Sequence, residues 1–182
     1  MCALSMPAAL SGYCCRRCVH PSRQHRAADW RYPCPVATNT DCELCANPGG
    51  DLLWEDGLCR VVRVTGPEGN AFPGFCRVVW RQHVAEMSAL PIPHAHHFAD
   101  VVLATERALR QLVQPDKINL ASLGNLVPHL HWHVIPRWKD DSHFPAPIWA
   151  KPQRRGVARP VPTSARLLAA LQAELSTLNE PP

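Results

Sequence analysis

The chain has 182 residues, 46% hydrophobic and 19% charged, which suits one domain with a single core. Nineteen prolines argue against a long coiled coil or a helical solenoid, and no apolar run approaches the roughly 20 residues of a membrane helix. The net charge of +4 resides in residues 1–40, which hold five arginines and one acid, Asp29; the remainder carries fourteen bases and fourteen acids, so the body lacks the basic surface that nucleic-acid binding needs.

Residues 1–40 are rich in Arg, Cys, Pro and Ser and show no sustained periodicity. They are expected to form a disordered extension, with a basic targeting or interaction arm as the alternative. Their first residues lack a basic stretch ahead of the apolar ones and make a poor secretory signal. Of nine cysteines, seven fall at or before Cys45, which is not how a disulfide framework spreads; reduced thiols in a cytoplasmic protein are expected.

Order is expected from Asp41, with one domain over 41–150 and a Pro-rich segment plus helix over 151–182. Strands over 52–55 and 58–64 flank Asp56-Gly57, a hairpin signal. A loop covers 67–74 and a third strand 75–80. Phe98, Val101, Val102, Thr105, Leu109, Leu112 and Val113 recur at helical spacing, predicting a long helix over 95–114 that Pro115 stops. Strands follow over 117–122 and 130–135. An irregular Pro-rich loop covers 140–162, and a last helix spans 164–178 with Thr163 as N-cap. This order predicts an α+β fold: about five antiparallel strands, one long helix and a C-terminal helix.

The most informative segment is Pro128-His129-Leu130-His131-Trp132-His133-Val134-Ile135-Pro136. On a strand, His129, His131 and His133 line one face, while Leu130, Trp132 and Val134 line the other and can pack on a helix. Three imidazoles in strict alternation point to metal ligation or to nucleophilic catalysis. Spread over roughly 13 Å, all three are too far apart for one ion, though adjacent pairs are not. Separately, the Cys42 and Cys45 thiolates are spaced to reach one tetrahedral ion but need two further ligands; a redox pair and two unrelated thiols are the alternatives. His94, His96 and His97 read as solvated surface, Cys59 and Cys76 as small core residues, and Asp140-Asp141 as a solvated loop. A metal site at Cys14-Cys15-x-x-Cys18 with His20 is a weaker alternative within the extension.

The His-x-His-x-His run, Gly124-Asn125 ahead of it, the long helix before that loop, and Ile135-Pro136-Arg137 after it resemble the histidine triad (HIT) superfamily. The similarity is greatest to bacterial members described as diadenosine-polyphosphate hydrolases and covers about 41–149. It implies a HIT-like fold, a homodimer and a small-molecule nucleotide substrate. It places the nucleophile at His131, which attacks the α-phosphorus to give a nucleotidyl-histidine that water resolves. His133 then bonds the phosphate oxygens or the leaving group. Asn125 falls where many members carry a phosphate-contacting glutamine, and Asn119 near another polar substrate contact. Imidazole suits the task, being neutral and nucleophilic near pH 7 with an ordinary pKa of about 6.5.

The resemblance also completes a Cys2His2 set, Cys42, Cys45, His83 and His129, as a closed structural zinc site. One feature departs from the pattern: many members carry a histidine where this chain has Phe75, after Pro73-Gly74. That change supports a competing reading, a non-catalytic nucleotide-binding module. A third is a zinc-dependent hydrolase with metal on His131 and His133. No Gly-rich phosphate loop is present. Dinucleoside polyphosphates, nucleoside phosphoramidates and nucleotide sugars all offer the same α-phosphate.

Overall fold

The computed structural model describes residues 39–178. The expected extension over 1–40, with its Cys14-Cys15-x-x-Cys18 and His20 alternative, lies outside the described residues except for 39 and 40. A short helix, α1 (Glu43–Ala46), leads into β1 (Asp51–Glu55) and β2 (Cys59–Arg63). Between the strands, Asp56 Oδ1 accepts the backbone N–H groups of Leu58 and Cys59 at 2.7 and 2.8 Å, which tightens the hairpin that Asp56-Gly57 signals. A second short helix, α2 (Gly66–Ala71), occupies most of the expected loop; four to six residues are too few to show helical periodicity in the sequence.

β3 (Cys76–Trp80) is followed by a 3-10 turn (Met87–Ala89) and then α3 (Ile92–Val113). α3 begins three residues before the expected start, because Pro93 sits in the first turn, where its missing N–H has no intrahelical partner to lose. It ends at Gln114, left-handed at φ 46°, just before Pro115. β4 (Lys117–Ala121) and β5 (His131–Arg137) complete one antiparallel sheet in the order β1-β2-β3-β5-β4.

β5 runs two residues past its expected end at 135. Pro136 pairs with Ile118 on β4, while on the other side the β3 pairing ends at Cys76 opposite Val134, so no ladder bond there needs the missing N–H. Residues 140–162 hold neither helix nor strand, as expected. α4 (Ser164–Thr177) starts where the sequence indicates: Thr163 Oγ1 accepts the Arg166 N–H at 3.3 Å.

Strand alternation divides the sheet into two faces. Val61, Val78 and Val134 meet Phe98, Val101 and Leu109 of α3 and Leu167 and Leu171 of α4 in the main core. α4, within the segment 151–182, is thus part of that core rather than an appendage to it. The opposite face carries a cross-strand row Val62, Arg77, His133, Ala121, with Val79 beside His131. α3 and α4 thus cover one face, and the other presents the histidines, with Leu44 of α1 against its Val62 and Val79. Among the described residues, no helix is long and apolar enough to cross a membrane.

Candidate active site

The three histidines occupy one side of the sheet, but only His131 and His133 belong to β5; His129 lies just ahead of it. All three are buried, at 1, 8 and 6% exposure in chain order. His131 Nδ1 donates to the His129 carbonyl at 2.6 Å. Its Nε2 lies 3.2 Å from Nε2 of His133. Because Nδ1 carries the His131 proton, a neutral His131 presents a bare lone pair at Nε2, and the hydrogen between the rings belongs to His133. His133 Nδ1 is then an acceptor, and it is buried with no partner.

Burial lowers the His131 pKa, with the Arg77 charge adding to the effect and the His129 carbonyl opposing it. His133 is pushed down to about 3, first by burial, then by His131 and Arg77. Both imidazoles are therefore neutral at pH 7. One is an oriented nucleophile; the other is a hydrogen-bond donor that any ligand oxygen can take over.

Rings wall this pair. Phe75, the residue that departs from the family pattern, is 1% exposed, its centroid 5.7 Å from that of His133. The Trp149 ring, half-exposed on the 140–162 loop, lies edge-on to His133 at 5.2 Å. Sequence reasoning missed Trp149, since nothing in an irregular loop signals which ring folds back.

Cys42, Cys45, His83 and His129 come together, their ligand atoms all within 4.8 Å of one another. His129 Nδ1 is 3.4 Å from Cys42 Sγ and 3.5 Å from Cys45 Sγ, and His83 Nδ1 is 3.4 Å from Cys45 Sγ. A tetrahedral ion with bonds of about 2.3 Å to sulfur and about 2.0 Å to nitrogen spaces its ligands roughly 3.5 Å apart, so this set fits such an ion. The other nitrogen of His129 donates to the Trp80 carbonyl at 2.7 Å, which fixes the ring with Nδ1 toward the thiols.

Asn119 faces the histidine side of β4, but its Oδ1 accepts from Arg137 at 2.7 Å. Asn125 is exposed in the loop before His129. The expectation of a solvated Asp140-Asp141 holds only for Asp140, which is exposed and bonds Arg159 at 2.6 Å. Asp141 is 3% exposed and forms a two-pronged pair with Arg137, itself 1% exposed, at 2.7 and 3.1 Å. Its oxygens also accept the N–H groups of Trp138, His143 and Phe144, so the carboxylate folds the chain around itself instead of meeting water. Likewise, of the three histidines read as solvated, only His96 is exposed. His97 bonds Asp56 at 2.7 Å, and the His94 ring lies against Trp80 at 5.7 Å. Cys59 and Cys76 are buried core thiols, the latter pushed up to about 12 by burial.

The HIT domain family matches residues 49–140, half of the chain, and this segment contains the triad. The chain belongs to the HIT family. Solved HIT structures superpose on it. A histidine triad protein from Marinobacter aquaeolei is 30% identical, with a TM-score of 0.54, covering 70% of this chain and 91% of that one. One from Bradyrhizobium japonicum is 25% identical, with a TM-score of 0.57, covering 77% and 98%. A zinc-bound family member from Mycobacterium smegmatis, 23% identical with a TM-score of 0.51 and covering 76% and 98%, shares the fold. Among curated proteins, none matches the sequence.

Proposed function

We propose that this HIT protein is a nucleotide hydrolase or nucleotidyl transferase that cleaves at an α-phosphate through a covalent intermediate on His131, with a dinucleoside polyphosphate as the substrate class. The observation that carries this reading is the 2.6 Å bond from His131 Nδ1 to the His129 carbonyl, which leaves a neutral, oriented lone pair at Nε2. His131 Nε2 forms a bond to the α-phosphorus, and the bridging P–O bond breaks with its electron pair on the leaving oxygen. His133 turns its Nε2–H from His131 to a phosphate oxygen. Water then attacks the same phosphorus, the P–N pair returns to Nε2, and a proton of the water passes to the released phosphate. Asn125, exposed in the loop ahead of His129, contacts the phosphates in this reading. Asn119, on the histidine side of β4, is the second polar substrate contact of this reading, its Oδ1 already accepting from Arg137.

Cys42, Cys45, His83 and His129 would hold zinc as a closed structural ion, since all four positions are filled by protein and none is left for water. Bound there, zinc would supply rigidity, with Cys42 and Cys45 tying α1 to His129, whose carbonyl orients His131. A homodimer accompanies this reading, supported by the resemblance, and a cytoplasmic location, supported by the uneven spread of the cysteines.

The non-catalytic binding module is the second reading, favoured by Phe75, which can neither bond a phosphate nor pair with the His133 Nδ1. The metal-hydrolase alternative lacks support: among the described residues, no metal-ligating cluster includes His131 or His133. Turnover of diadenosine tetraphosphate by wild type and by His131→Asn tests the reading. We expect wild-type turnover and a loss of at least about a thousandfold in the variant. Tight nucleotide binding without turnover supports the binding module instead.

A further inference from the structure

The register of the sheet sets one cation beside the histidine pair. Arg77 on β3 stands directly across from His133 on β5 and from Val62 on β2, so its side chain leaves the same face as the triad. The rest of β3 is Cys76, Val78, Val79 and Trp80, all buried. A charge in the middle of such a strand costs solvation that its partners have to offset.

In the free protein those partners offset it only in part. The guanidinium donates to the Gly49 carbonyl at 3.2 Å and to Glu68 at 3.3 Å, both long for charge-assisted bonds. Its Nε is buried and has no partner. The guanidinium carbon lies 5.6 Å from the centroid of Phe75, the same ring that packs on His133, and the charge is felt by both His131 and His133. About a quarter of the side chain, 24%, stays open to solvent, so a ligand can reach it.

We propose that Arg77 is a specificity-determining residue that binds the substrate phosphates beyond the one attacked, so that the site prefers leaving groups carrying phosphate. The proposal rests on the nucleotidyl-transfer reading above. Phe75 offers no polar group to a phosphate, while Arg77, two residues on and within β3, supplies a fixed positive charge with a forked donor pattern that matches phosphate. When His131 Nε2 bonds the α-phosphorus, the bridging oxygen departs with its electron pair as part of a phosphate anion. That anion needs no proton, because phosphate ionises near about pH 6, whereas an amine leaves only when protonated. His133, walled by Phe75 and Trp149 with its one N–H turned to the neutral His131, holds no acidic proton to give near neutrality. Charge neutralisation by Arg77 takes the place of proton donation, and Glu68 releases the guanidinium as the phosphates arrive.

Two substrates with the same adenylyl group separate this role from a structural one: diadenosine tetraphosphate, and adenosine 5′-(4-nitrophenyl phosphate), whose leaving group has no phosphate. Arg77→Gln is expected to lower kcat/KM for the tetraphosphate roughly ten- to a hundredfold and for the nitrophenyl ester less than about threefold. Arg77→Lys should retain part of the tetraphosphate activity, and Glu68→Gln should lower the tetraphosphate KM, an effect that does not require the arginine variants to fold. Equal losses on both substrates, or an unchanged preference in Arg77→Gln together with an unchanged KM in Glu68→Gln, overturn the proposal while leaving nucleotidyl transfer intact. Wild type that turns over neither substrate and forms no adduct overturns the underlying reading, and the proposal with it.

Discussion

His129 gives its backbone carbonyl to Nδ1 of His131 at 2.6 Å while turning its own Nδ1 to Cys42 and Cys45 at 3.4 and 3.5 Å. One residue therefore belongs to two sites. Its peptide group sets the tautomer of the proposed nucleophile, and its ring is held by the thiols on one side and by the Trp80 carbonyl on the other.

Removing a ligand of the Cys2His2 set should therefore be felt at His131. Cys45→Ser is expected to abolish stoichiometric zinc, measured by atomic absorption on the purified protein, and to lower Tm by several degrees. In nitrogen-detected NMR, the His131 ring should change from a single Nδ1–H tautomer to a mixture. Full zinc content in the variant contradicts the assignment of the metal site.

Arg137 and Asp141 form a buried pair, and breaking it leaves a desolvated guanidinium. Asp141→Ala should cost about 3–5 kcal/mol in urea unfolding, whereas Asp140→Ala, at an exposed position one residue away, should stay within about 0.5 kcal/mol. Similar costs for both would place Asp141 in solvent after all.

These acids show where the sequence was legible and where it was not. Alternation marked the histidine strand, and the helical spacing of Phe98, Val101, Val102, Thr105 and Leu109 marked α3, because each pattern records which face is buried. The histidines could be assigned to one face for the same reason. Adjacent aspartates, in contrast, look alike in sequence; only the inward turn of Arg137 separates Asp141 from Asp140. Pro136 concealed the end of β5, since the sequence does not show that β3 has already stopped. Arg77 reads as an interruption of an apolar strand until the register sets it beside His133.

The histidines should also titrate in opposite directions. His131 and His133 are held below the ordinary imidazole pKa, His133 to about 3, so between there and about pH 6.5 the unfolded chain binds protons that the folded one refuses. Their contribution to stability is present above about pH 6.5 and is lost as the pH falls toward 3. The Asp56 partner raises the pKa of His97, so its contribution is present below about pH 6.5 and is lost as the pH rises through the raised value. Ring proton shifts followed from pH 4 to 8 should show His97 titrating above 6.5 and His133 not at all. In His97→Gln, the decline in stability on the alkaline side should flatten. A His133 midpoint near 6.5 would mean that the aromatic wall of Phe75 and Trp149 does not keep it dry.

The central claim is that His131 Nε2 becomes bonded to the α-phosphorus. The most direct measurement is to mix the protein with diadenosine tetraphosphate labelled at the α-phosphate, quench in alkali within milliseconds to seconds, and map the label by mass spectrometry. The account predicts acid-labile, alkali-stable adenylylation on the peptide containing His131, absent in His131→Asn and present in His133→Gln at a reduced rate. Turnover with no label on the protein, or label that persists in His131→Asn, would contradict it.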